Sequence, residues 1–218
     1  LKLVLLGISE IPENEILALD RLESLFLYNN YLKELPLSLS NCKNIKWLYL
    51  MYNKFIYIPE VVIKMKGLEE LMLGNNRLIE IPKHMCELTT LKRLSLRNNF
   101  IKSLPDNIGK LNNLQILDLR SNQISILPDS VGKLTQLKYL YLYNNRLTMI
   151  PTSMEGLFNL KVMSLRQNKL SKLPEVFYKL DNLQFLYLDD NELSVLPNSL
   201  TKNSHLKILT YHNNCIKR

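Results

Sequence analysis

Tyr139, Tyr141 and Tyr143 alternate with Leu140 and Leu142 in the stretch LKYLYLYNNR. The same alternation sets Phe26 and Tyr28, Trp47 and Tyr49, and Phe185 and Tyr187 around leucines elsewhere in the chain. Arg93, Arg97, Arg120 and Arg166 recur at related places. Tyr, Trp and Arg join a large contact area to a polar handle, and they dominate the energetics of protein-binding surfaces. Recognition is therefore the chemistry these residues offer. Residues that could make or break bonds are sparse. His84, His205 and His212 are the only histidines, and no Ser/His/Asp constellation, Gly-rich phosphate loop or H-E-x-x-H helix is present. Cys42, Cys86 and Cys215 stand at unrelated spacings, which gives neither a disulfide framework nor a metal knuckle. We expect no enzyme, no cofactor and no metal site within one molecule; His212 could serve a metal only together with a neighbouring chain.

Composition sets the outer bounds. The 218 residues are 46% hydrophobic and 22% charged, as in an ordinary folded domain. No apolar run reaches 18 residues, so membrane insertion is not expected. The opening LKLVLLGISEIP has no basic leader and no small-residue cleavage site. It starts with Leu, as a processed or trimmed product would. The formal charge of +8 raises the question of nucleic acid. However, Lys and Arg are scattered, and Glu70, Asp118 and Asp189 interrupt any phosphate track. No nucleic-acid partner is expected.

The elements that must position the tyrosines follow from an internal period. Steps of 23 residues connect Asn30, Asn53, Asn76, Asn99, Asn122, Asn145, Asn168, Asn191 and Asn214. A proline stands six residues after each of the first eight, from Pro36 to Pro197. Pro12, 24 residues before Pro36, marks a degenerate first unit in which Leu6 takes the asparagine's place. The unit reads L-x-x-L-x-L-x-x-N-x-L-x-x-L-P-x-x-a-x-x-L, with a apolar. Side chains alternate along x-L-x-L-x, so the leucines face one way and the x residues the other. Each unit is then a short strand with a return segment. Units must stack to bury their leucines, at roughly 1.5–3 kcal/mol per side chain. The asparagine amide is expected to satisfy backbone groups of its own coil and the next, and its loss to cost roughly 1–3 kcal/mol. The proline is expected at the first position of a single helical or 3-10 turn, as in PDNIGKL (105–111) and PDSVGKL (128–134). Lys110, Lys133 and Lys179 on those turns read as solvated charges.

On these residues the chain resembles the leucine-rich repeat family in its typical 23-residue class, bacterial or Ras-group-like. The resemblance covers residues 1–218 as one domain of about ten repeats, the first and last incomplete. It implies an α/β solenoid, a right-handed horseshoe with a concave parallel sheet and a convex side of short turns. It also implies a non-catalytic module that recognises a protein partner. The alternative is a self-associating structural module, or the repeat portion of a larger signalling or effector protein. The near-uniform Asn- and Lys-rich repeats are most similar to bacterial host-interaction proteins, which implies secretion or a bacterial cell surface. Leu1, Leu3 and Leu5 at one end, and NNCIKR with Tyr211 in an inner position at the other, look uncapped. Self-association through those ends is a further expectation.

The outward strand positions define the expected site. They hold 27 residues, nine of them aromatic, in a chain with 11 Tyr, 6 Phe and 1 Trp; half of all the aromatics occupy about an eighth of the length. The expected partner-binding residues are Phe26, Tyr28, Trp47, Tyr49, Arg93, Arg97, Arg120, Tyr139, Tyr141, Tyr143, Arg166, Phe185 and Tyr187. At roughly 4.8 Å per strand the face runs about 40 Å.

Overall fold

The structure, a computed structural model, describes residues 1–13 and 21–216; the last two residues of NNCIKR lie outside them. Nine three-residue strands carry the alternating leucine segments: β1 Ser24–Phe26, β2 Trp47–Tyr49, β3 Glu70–Met72, β4 Arg93–Ser95, β5 Ile116–Asp118, β6 Tyr139–Tyr141, β7 Val162–Ser164, β8 Phe185–Tyr187 and β9 Ile208–Thr210. They form one parallel sheet in chain order. The register repeats the sequence period, pairing Phe26 with Tyr49 and Tyr139 with Val162. Lys2 adds a single bridge to Phe26 at the near edge.

The leucines fall where alternation puts them. Leu137, Leu140, Leu142 and Leu147 are wholly buried, as are their counterparts in neighbouring repeats, and the core runs unbroken from Leu25 to Leu200. At the far edge Ile208 and Tyr211 are exposed, and Leu5 and Leu6 are exposed at the near one.

The asparagines form a buried ladder with a defined direction. Asn145 Nδ2 donates to the carbonyls of Leu142 and Leu119, both at 3.0 Å, and its Oδ1 accepts the Ile124 N–H at 3.0 Å. Leu119 and Ile124 belong to the preceding coil. Each amide therefore ties its own coil to the one before it, and the expectation of a bond to the next coil is corrected. The bonds show why: the Leu119 carbonyl and the Ile124 N–H of the preceding coil both face Asn145, just as the Leu142 carbonyl faces Asn168 of the following one.

The residue before each of these asparagines lies in the left-handed region, with φ between 50° and 58° from Asn29 to Asn213. Five of the nine are Asn, the side chain that tolerates this region best after Gly. Tyr52, Ser121, Gln167 and Asp190 hold the same conformation. The turn is imposed by the ladder rather than by the local residue.

Return segments are single turns. Four are 3-10 helices that open directly after the proline: Leu37–Asn41, Lys83–Glu87, Asp129–Lys133 and Thr152–Gly156. A fifth is α-helical, α1 Glu60–Lys64. Ile108–Lys110 and Phe177–Lys179 begin three residues past their prolines, and α2 Ser199–Lys202 follows Asn198. In the first five the proline is extended, with ψ from 136° to 152°, and stands one residue before the expected position, outside the helix. Its carbonyl accepts the first bond of the turn, as from Met154 N–H to Pro151 O. Lys110, Lys133 and Lys179 are exposed as expected, and Lys179 pairs with Glu155 at 2.7 Å.

Candidate recognition face

Eight of the expected site residues flank the buried central position of a strand, namely Phe26, Trp47, Tyr49, Arg93, Tyr139, Tyr141, Phe185 and Tyr187, and Tyr28, Arg97, Arg120, Tyr143 and Arg166 each stand two residues past a strand end. The central strand residue is buried in β1 to β8, and the flanking positions are half-buried in most of these strands. In-register pairing turns the outward positions into columns across the strands. One column runs Phe26, Tyr49, Met72, Ser95, Asp118, Tyr141, Ser164, Tyr187, Thr210. The aromatics gather in two groups separated by the Met72–Asp118 interval. In the first, Phe26 stacks on Tyr49 with centroids 4.7 Å apart and planes at 15°. In the second, Tyr139 and Tyr141 lie 6.4 Å apart at 16°. Neither group is absorbed into the core.

The arginines are organised by acids that sequence reasoning had treated only as breaks in a phosphate track. Arg93 meets Glu70 at 3.4 Å, one strand away in the same column. Arg120 grips Asp118 through two bonds, Nε to Oδ1 at 2.9 Å and Nη2 to Oδ2 at 2.8 Å. Arg166 Nε meets Asp189 at 2.9 Å. Asp118 and Asp189 are 7% and 3% exposed, so these two carboxylates lie beneath the guanidinium groups rather than beside them. Arg97 makes no ion pair among the described residues; it lies over Gly74, where an added Cβ would come within 2.9 Å of the Arg97 side chain. The signal for these pairs was available, since Glu70 to Arg93 and Arg166 to Asp189 are both one 23-residue step.

Electrostatics follow this layering. Burial, and then the bond to Glu70 at 2.8 Å, push the Tyr49 hydroxyl up to about 12. The bonds that Arg120 donates to Asp118 raise its guanidinium above the ordinary value. Burial raises Tyr141, with the Arg120 charge opposing it, and the Arg120 guanidinium sits 5.2 Å from the Tyr141 ring centroid. Arg166 is 5.8 Å from the ring of Tyr187.

Asp189 is the most heavily bonded acid on the face. It accepts the Thr210 hydroxyl, the His212 backbone N–H at 3.0 Å and a bond from His212 Nδ1 at 2.8 Å. Burial works to raise this carboxyl, but the bonds from Thr210 and His212 and the Arg166 charge outweigh it and hold it below its ordinary value. The folded pKa is depressed, so the stabilisation is complete above the unfolded value of about 3.9 and is lost as pH falls through the folded one. The urea midpoint of the native chain is therefore expected to fall more between pH 5 and pH 2.5 than that of Asp189→Asn. Paired urea titrations across that range check it.

Among the described residues no group of three His, Cys, Asp or Glu side chains could hold a metal ion. Cys42 and Cys86 are buried, and burial pushes Cys86 up to about 11, an inert thiol. No helix of the described residues is long and apolar enough to cross a membrane.

A stacked array of strand-and-turn units with a polar-aromatic sheet face is the architecture of a repeat-built binding scaffold. Family models place it further: one described as a leucine-rich repeat region matches residues 79–165, and one described as a leucine-rich repeat matches residues 21–42 and 182–203. The chain belongs to the leucine-rich repeat family, and its fold is the horseshoe with the sheet on the concave side. No curated protein sequence matches it significantly. Among solved structures, a leucine-rich repeat protein of Leptospira interrogans is 30% identical with a TM-score of 0.86, over 98% of this chain and 60% of that one. The ectodomain of the plant membrane receptor kinase GASSHO1/SCHENGEN3 from Arabidopsis thaliana, in complex with Casparian strip integrity factor 2, is 30% identical with a TM-score of 0.80, over 94% of this chain and 28% of that one. The plant peptide hormone receptor RGFR1 in complex with RGF2 is 29% identical with a TM-score of 0.74, over 94% and 38%. This chain thus spans less than two thirds of each.

Proposed function

We propose that this chain is a non-catalytic recognition module that grips a protein or peptide partner on its concave face. The observation that carries this reading is the placement of nine aromatic side chains on the sheet face, in two groups that serve no core. All nine are half-buried, and a contiguous patch of aromatics left partly open to solvent outside the core favours a contact surface. The family supports a protein-binding role, and so do two similar receptors solved with their bound factors. The Leptospira neighbour and the receptor ectodomain favour a bacterial protein acting outside the cell.

The test is capture with the intact protein against Tyr141→Ala. The variant is expected to lose more than about tenfold in partner affinity while its melting temperature moves by less than about 3 °C, because Tyr141 stacks on surface groups rather than in the core. An unchanged affinity overturns the concave site. Binding is also expected to change little between low and physiological salt, since three of the four arginines are already neutralised. A phosphate-driven contact would lose about 10³-fold or more over that range.

A further inference from the structure

The second aromatic group encloses a cleft of about 410 Å³ whose walls include Arg120, Arg166, Tyr141, Tyr143 and Tyr187, with Asp190 among them. That is room for one or two side chains. A guanidinium carries five N–H donors. Arg120 spends two on Asp118, and Arg166 has one ion pair with Asp189. Their other donors, and the hydroxyls of the three tyrosines, have no protein partner among the described residues. Both arginines remain more than a third exposed, while the carboxylates under them are nearly covered. An incoming group therefore meets donors first. The buried acids also let two like charges stand in one cleft, fixed in place before any partner arrives.

We propose that this cleft is a carboxylate subsite, taking an acidic side chain of the partner that stands next to an aromatic or apolar residue. The carboxylate accepts from the outward edges of Arg120 and Arg166, and the neighbouring apolar group lies against the tyrosine rings. Charge bookkeeping weighs more heavily against phosphate than against a monoanion. Arg120 and Arg166 are balanced by Asp118 and Asp189, and Asp190 adds one negative charge at the cleft, its Oδ1 held by Asn213 at 2.8 Å. The sum is one net negative charge, which repels a dianion or a polyanion more than a monoanion and attracts neither. Affinity must come from short, directional hydrogen bonds, which planar carboxylates make in pairs with guanidinium.

The subsite rests on the concave-face reading, and the experiment separates the two. The 218-residue protein, labelled with nitrogen-15, is titrated with N-acetyl-phenylalanine, with its amide, and with inorganic phosphate. The acid is expected to shift the Nε–H signals of Arg120 and Arg166 and the amides of residues 141–143. The amide is expected to bind at least about tenfold more weakly, the worth of one charge-assisted bond, and phosphate more weakly still. Arg166→Gln is expected to abolish the shifts and stay folded, because Asp189 keeps Thr210 and His212. Asp190→Asn removes the charge at the rim, with a side chain suited to the left-handed φ of 57° there, and is expected to tighten the acid about threefold. Equal binding of acid and amide in the cleft overturns the carboxylate subsite and leaves concave recognition standing. Tighter binding of phosphate overturns it in favour of a phosphate-bearing partner, and no shift in these residues overturns it outright. Failure of the concave reading is seen elsewhere, in the Tyr141→Ala capture.

Discussion

Asn145→Ala is expected to lower the stability of the chain by about 3 kcal/mol, and Asn214→Ala by no more than about 1 kcal/mol. Truncating Asn145 strands the buried N–H of Ile124 and takes one of two amide donors from each of the carbonyls of Leu119 and Leu142, which keep Asn122 and Asn168. Each buried group left unpaired costs about 1–3 kcal/mol. The loss falls at the upper end of the sequence estimate, because one amide serves three groups in two coils and is the sole partner of one of them. Asn214 makes the equivalent bonds to Leu188, Tyr211 and Leu193, but at the far edge, where they are part-buried or exposed and water can replace the amide. At roughly 2–4 °C per kcal/mol for a chain of this size, Asn145→Ala should melt about 6–12 °C lower. Asn145→Asp should be worse than alanine at neutral pH, since a carboxylate has no donor and would face carbonyls only. Thermal melts of the three variants check the order. The damage would reach function as well, because Asn145 also contacts the Tyr143 carbonyl and thereby sets the strand exit beside the cleft.

That gradient shows which parts of the molecule could be read from sequence. The 23-residue step, the buried leucines of LKYLYLYNN and the outward tyrosines all follow from alternation, a local rule that stacking reinforces in every unit. Features set by the neighbouring coil were harder to read. The left-handed residue at Tyr52 or Gln167 carries no glycine signal, because the following asparagine's bonds fix the turn whatever stands there. The proline fell one residue outside the helix, since its extended ψ is needed to carry the chain out of the preceding segment. On the sheet face, alternation placed Asp118 and Asp189 outward correctly. Their burial came from Arg120, Thr210 and His212 closing over them, a property of side-chain length and of pairs one repeat apart. The recognition face was therefore legible as a set of residues, and its layering of guanidinium over carboxylate was not.

The turns on the opposite side carry the second large expected effect. Gly132→Ala is expected to destabilise the chain by about 3 kcal/mol, the upper range for overpacking, whereas Gly67→Ala stays within about 0.5 kcal/mol of the native chain. A Cβ at Gly132 would overlap the Ser153 carbonyl oxygen of the next turn, and one at Gly156 would overlap the carbonyl oxygen of Gly132. Both obstacles are backbone, so relief requires the coils to move apart. A Cβ at Gly67 meets the Lys43 oxygen at 3.5 Å, an ordinary contact. The positions flanking this stack are correspondingly small: Ser130 and Ser153 keep buried hydroxyls with no partner, where a larger side chain would find no room. Coil spacing on the turn side governs how tightly the sheet side curves, because both belong to the same stack of coils. Gly132→Ala should therefore also weaken partner binding at Tyr141, which β6 supplies between this turn and the next, even at temperatures where the variant remains folded. Urea melts give the stability difference, and capture by folded Gly132→Ala, compared with Gly67→Ala, tests whether turn packing shapes the opposite face.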